Sequence, residues 1–131
     1  YYNASQSGHG FSVEFGEFGP GMPMAVIFWY TFEDNGQSIS MGGQGVPVGN
    51  RVEINLESPS GMKYGEFDPL TVVRNPGGIA VFEFSDRNNA TFSYTPSDYS
   101  AVQWGHTTSI VDLPLTKIFG MPANKYFTPA D

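Results

Sequence analysis

A chain of 131 residues with 40% hydrophobic and 15% charged side chains has the size and composition of one globular domain with its own core. Its formal charge of −7, from six Lys and Arg against 13 Asp and Glu, repels nucleic-acid phosphates and anionic lipid headgroups, so neither partner is expected. The lack of Cys excludes a disulfide framework, a thiolate nucleophile and a cysteine zinc site, and no apolar run approaches the roughly 20 residues of a membrane helix.

Aromatic residues at 15%, with 16 Gly and 10 Pro, favour short strands joined by tight turns. FSVEF (11–15) alternates, with Phe11, Val13 and Phe15 on one side and Ser12 and Glu14 on the other. The next strand, 24–33, does not alternate: Met24, Val26, Phe28, Tyr30 and Phe32 fill one set of positions, and Ala25, Ile27 and Trp29 the other. Both sets are apolar, so a wrapped sheet is expected to cover both faces and leave recognition to rings displayed elsewhere. Asn35-Gly36 then supplies the positive φ angles of a two-residue hairpin turn, which returns QSISMGGQG alongside.

Val48-Gly49-Asn50 forms a second tight turn before RVEINLE, where Val52, Ile54 and Leu56 point inward and Glu53, Asn55 and Glu57 outward. ESPSGMKYGEFDP (57–69) is the longest irregular connection, of a length at which loops are commonly functional. Three strands follow, LTVVR (70–74), GIAVFEFSD (78–86) and ATFSYTP (90–96). Tyr99 to His106 reads as a loop or a poor strand, and TSIVDLPLTKIF (108–119) closes the set with Pro114 at an edge or bulge. These are about eight strands. The expected fold is all-β, an antiparallel meander wrapped into a closed or nearly closed β-barrel, with a β-sandwich as the alternative. Residues 1–120 make the single domain and 121–131 a C-terminal tail or linker, and the YYNAS start without Met reads as a mature or excised segment.

Five stretches recur in a recognisable order: Tyr1-Tyr2-Asn3-Ala4, Ser7-Gly8-His9-Gly10, Trp29-Tyr30-Thr31-Phe32-Glu33-Asp34-Asn35-Gly36, Tyr64-Gly65-Glu66-Phe67-Asp68-Pro69, and the segment from Phe84 to Tyr94. In order and approximate spacing they resemble a repeated β-rich module of secreted bacterial proteins. The resemblance implies an accessory part of an exported protein, in some cases tandem or attached to hydrolytic or carbohydrate-active enzymes. The chain departs from that pattern at Ser40, where the module carries a second Trp, and at Ala90, where it carries Gly.

Aromatic rings are the leading functional candidates, because sugars lay their C–H faces on flat rings while neighbouring polar side chains bond the hydroxyls. The pool is Trp104, Tyr64, Tyr1, Tyr2, Phe67 and Trp29, with Gln103, Glu66 and Asp68 as hydroxyl partners. Core packing is the competing role for Trp29, in the most apolar strand, and for Trp104, whose neighbourhood is polar. Tyr1 and Tyr2 either stack on a ligand, cover a strand edge or belong to the first strand. His9 lies between Gly8 and Gly10, where missing Cβ atoms admit a ligand or simply make a turn. With His9 and His106 the only histidines, no metal and no cofactor is expected. Asp86-Arg87-Asn88-Asn89 fits a hairpin turn and, less well, an oxygen-rich calcium loop. The carboxylates form nominal pairs without distinguishing context and no G-x-S-x-G elbow occurs, so no enzyme activity is expected.

The resulting expectation is a non-catalytic carbohydrate-binding accessory module, secreted or at the cell surface, part of a larger bacterial protein, with a polysaccharide or glycan as partner. Two alternatives stand beside it. One is a small-ligand barrel of the avidin or lipocalin type with Trp29 lining its cavity, and the other a structural or protein-binding spacer.

Overall fold

The computed structural model describes residues 1–118. Alternation of apolar and polar residues sets the architecture. In β4 (Arg51–Ser60), Val52, Ile54 and Leu56 are buried while Glu53, Asn55 and Glu57 face water, as period-two side-chain geometry requires of a half-covered strand. The same logic builds β1 (Gly10–Glu17), β2 (Pro23–Phe32), β3 (Ser38–Gly45), β5 (Val73–Phe84), β6 (Asn89–Pro96) and β7 (Ile110–Thr116). Each strand pairs antiparallel with the next, giving one seven-stranded meander in sequence order. It curls into an open half-barrel whose concave face holds the core.

The all-β meander expected from the sequence is therefore present, with seven strands. LTVVR and GIAVFEFSD do not separate: they belong largely to one 12-residue strand, β5, while Pro69–Thr71 is a 3-10 turn. A register shift at Leu56/Glu57 lets β4 and β5 continue past Pro76 and Gly77, because a bulge absorbs an extra residue without ending the ladder. The segment read as loop or poor strand is mostly a helix, α1 (Asp98–Trp104). Ser97 caps its start by accepting from Ser100 N at 3.0 Å, and Gly105, at φ 70°, ends it. The hairpin after β2 is a three-residue turn. Only Gly36 takes positive φ, Gly36 N donates to Glu33 O at 3.1 Å, and the Asn35 side chain accepts from Gln37 N.

The sheet bends sharply between β3 and β4. These strands share a single laddered pair, Gly42 with Glu57. A Cβ on Gly43 would lie 2.5 Å from Asn55 O, and one on Gly45 2.5 Å from Glu53 O, so β4 crosses space that side chains of β3 would otherwise fill. Glycines here form the corner that turns a flat ladder into a trough.

Two residues clasp the trough's edges. Tyr1 exchanges backbone hydrogen bonds with Phe11 of β1 (2.9 and 2.8 Å), and Tyr2 does so with Thr116 of β7 (both 2.9 Å). Of the three roles open to Tyr1 and Tyr2 from sequence, they take that of edge cover. The clasp is short. It covers Phe11, whereas Phe15, on the same side of β1, remains 58% exposed.

The core is a close assembly of rings and aliphatics. Phe11, Trp29, Phe82 and Phe92 pack with ring centroids 4.5–5.7 Å apart, joined by Ile27, Met41, Ile54, Leu56 and Tyr94. They fill the concave face. The expectation that both faces of 24–33 are covered is overturned: Ala25, Ile27 and Trp29 are buried, but Phe28, Tyr30 and Phe32 are 47, 53 and 45% exposed. A single-layer meander has one interior, and the convex side of β2 has nothing packed over it among the described residues. The tail expected from residue 121 lies outside the described residues.

Candidate functional site

The convex face of β2 presents Phe28, Tyr30 and Phe32 in one row, alternate residues standing about 6.5–7 Å apart along an extended strand. Their cross-strand neighbours are all small. Phe28 lies between Ser12 and Gly42, Tyr30 between Gly10 and Ser40, and Phe32 beside Ser38. None of these partners is large enough to cover a ring. Phe28 leans across Gly42, where a Cβ would sit 2.8 Å from two of its ring carbons. One face of that ring rests on the sheet and the other is open.

Depressions flank the row. At the seam, Tyr1, Tyr2 and Tyr30 wall a cleft of about 560 Å³, over Gly10, with Ser7, His9 and Ser12 on its margin. Beyond Phe28, a second depression of about 530 Å³ is bordered by Gln44 of β3, Asn55 and Glu57 of β4, and Arg74 of β5. A smaller one, about 220 Å³, lies between His9, Phe32 and His106.

Hydrogen bonds hold the margins. His9 Nε2 faces Gln6 Oε1 at 2.8 Å, and Trp29 Nε1–H points at His9 Nδ1 at 3.4 Å. Both contacts suit a neutral imidazole protonated on Nε2. Burial lowers the His9 pKa below its ordinary value, favouring the same form. His106 donates from Nε2 to Phe32 O at 2.9 Å and meets the Tyr94 hydroxyl at 3.0 Å through Nδ1. It thus ties the end of β2 to the segment following α1. The Tyr94 hydroxyl also bonds Gly77 O at 2.7 Å, and burial raises its pKa above the ordinary phenol value.

The sequence-derived candidates divide. Tyr1, Tyr2 and His9 come together at the seam cleft beside Tyr30. Trp29 lies beneath, in the core, and touches solvent only at the margin of the smallest depression. Trp104 is not a surface ring: it is 7% exposed, packed edge-on against Tyr99 and His106 with centroids 5.5 and 5.8 Å away. Its place on the last turn of α1, four residues after the buried Ser100, turns it inward, and Gln103 beside it faces water without a ring to serve. Tyr64 is 98% exposed in the β4–β5 connection, edge-on to Phe67 at 5.8 Å and close in sequence to Glu66 and Asp68. Asp68 caps the 3-10 turn there by accepting from Leu70 N at 3.0 Å. None of these four residues lines the depressions around β2. Asp86–Asn89 forms the β5–β6 turn, with Asp86 Oδ1 accepting from Asn88 N and Asn89 N at 2.7 and 2.9 Å. Those hydrogen bonds hold its carboxyl below the usual range.

Sequence reasoning did not single out Phe28, Tyr30, Phe32, Gln44, Asn55, Arg74 or His106 as candidate binding positions. The available signal was the pairing of a doubly apolar strand with SISMGGQG, in which Ser38, Ser40 and Gly42, the residues opposite the rings, are too small to cover them. No protein-family model, curated protein or solved structure matches the chain.

Proposed function

We propose that this protein is a non-catalytic glycan-binding module and that it binds through the convex face of β2 and its neighbouring strands. One observation carries the reading: three aromatic side chains on one strand, each about half exposed, all bordered by Gly or Ser. Contiguous exposed rings mark contact surfaces, and flat apolar rings edged by hydroxyl and amide groups match the two-sided chemistry of a sugar, whose C–H faces stack while its hydroxyls bond. Ser12, Ser40, Gln44 and Asn55 supply those polar groups. The ring-filled concave face favours surface recognition over a carrier of the lipocalin type.

A shallow platform of this kind binds weakly by itself and gains from being tethered, since linkage raises effective concentration. Its place in an exported bacterial protein, as an accessory part of a larger chain, rests on the motif resemblance. Affinity electrophoresis through gels containing soluble polysaccharides, with pull-down on insoluble ones, tests the reading. Retardation that Tyr30→Ala abolishes supports it. No retention on any plant, fungal or bacterial polysaccharide overturns it, and self-association through the same face, removed by Tyr30→Ala, would assign the surface to a protein contact instead.

A further inference from the structure

We infer that the depression between Phe28 and Arg74 is a subsite for a single uncharged sugar ring, with Phe28 as its floor and a donor–acceptor pair, Arg74 and Glu57, as its far wall. The inference rests on the glycan-binding reading and assigns that site a ligand class.

The floor is built by glycine. Because Gly42 has no Cβ, the Phe28 ring tips over it, one face packed on the backbone and the other turned to solvent. Two residues on, Gln44 is the convex side chain of β3 that borders the depression. The depression, about 530 Å³, falls within the size range of small-ligand sites.

The walls are polar on the far side. Gln44 and Asn55 carry amides that both donate and accept, matching hydroxyls that do the same. Arg74 Nη1 and Glu57 Oε2 stand 3.9 Å apart, beyond the roughly 2.7–2.9 Å of a bonded charged pair. Their hydrogen-bonding capacity is therefore not spent on each other. A guanidinium and a carboxylate at that spacing offer one donor and one acceptor to neighbouring hydroxyls of a ring stacked on Phe28.

Charge decides the class. Glu57 offsets Arg74, so the subsite is close to neutral, and the protein as a whole carries −7, so an anionic sugar meets a carboxylate beside the guanidinium and a repulsive overall field. Uncharged pyranoses are selected over uronic acids.

The test uses affinity electrophoresis against hydroxyethylcellulose, galactomannan, arabinoxylan and a soluble β-1,3-glucan as uncharged probes, and polygalacturonate and alginate as anionic ones. The whole chain is expected to be retarded by at least one uncharged probe and by neither anionic one. Gly42→Ala retains every ring and polar group but puts a methyl where the Phe28 ring lies, and is expected to weaken binding about tenfold, the scale of one aromatic stacking contact. Asn55→Ala, on the exposed face of β4, is expected to weaken it about three- to tenfold with an unchanged melting temperature, guarding against misfolding of the glycine variant. If the wild type binds an uncharged probe, loses it with Tyr30→Ala and keeps it with both Gly42→Ala and Asn55→Ala, the subsite is wrong and the glycan reading stands. Retention on the anionic probes alone overturns the ligand class, and retention on none of the six overturns both.

Discussion

Replacing Gly43 with Ala should destabilise the protein, against the direction that strand propensity gives. Gly43 is not among the positive-φ residues, so Ala fits its backbone, and in an open strand the change would gain about 0.5–1 kcal/mol. At the β3–β4 corner the new methyl would lie 2.5 Å from Asn55 O and 2.6 Å from Ile54 Cγ2, roughly an ångström inside ordinary contact. The first is a backbone atom of a core strand, and overpacking of this kind costs about 1–3 kcal/mol. The net loss is centred on about 1 kcal/mol, within bounds of about 0–2.5, against a domain's total of about 5–15 kcal/mol. Gly16→Ala on β1 is the control. It also lacks positive φ and has nothing within 4 Å of the added Cβ, so it should be neutral or stabilising by about 0.5 kcal/mol. Urea unfolding followed by tryptophan fluorescence measures both. A Gly43→Ala variant at least as stable as wild type would refute the packed corner.

Trp104→Ala should cost about 3–5 kcal/mol in a denaturant melt, as loss of a buried aromatic does, while the fraction that remains folded keeps wild-type retention in glycan gels. Tyr30→Ala should show the reverse, with stability within about 0.5 kcal/mol of wild type and binding lost. Acidification should weaken the fold through His9: its folded pKa is depressed by burial, so the unfolded chain takes up protons first. Stability then declines as pH falls below the unfolded histidine value of about 6.5 and stops declining below the folded one. Urea midpoints at pH 7.5, 6 and 5 should fall less steeply in His9→Gln, and identical slopes would remove His9 from the account.

Much of the fold was legible because one-sided burial writes a period of two into β4 and β6, where Val52, Ile54, Leu56, Phe92 and Tyr94 are all inside. β5 was not legible as one strand because Asn75-Pro76-Gly77 carries turn chemistry, and only its partner's register shows that a bulge absorbs it. α1 has the punctuation of a helix, Ser97 before and Gly105 after, but its seven residues, about two turns, offer no repeating apolar face. The candidate site was hidden for a different reason. Two apolar faces on 24–33 look the same whether the second meets more protein or a ligand, and the choice depends on the number of sheet layers, which is a property of the whole chain. Trp104 was misjudged from its polar sequence neighbours: the helix turns Gln103 out to water, and His106 packs edge-on against the indole.

The Tyr2 half of the clasp joins the first residues to β7, so it has nothing to grip until the whole meander has been laid down, whereas Tyr1 bonds the nearby β1. Tyr2–Thr116, the contact of greatest sequence separation, should close last in folding and release first, and a contact absent from the rate-limiting ensemble acts on escape from the native state rather than on entry to it. Weakening it should shorten the lifetime of the folded molecule while leaving the speed of its assembly as it was.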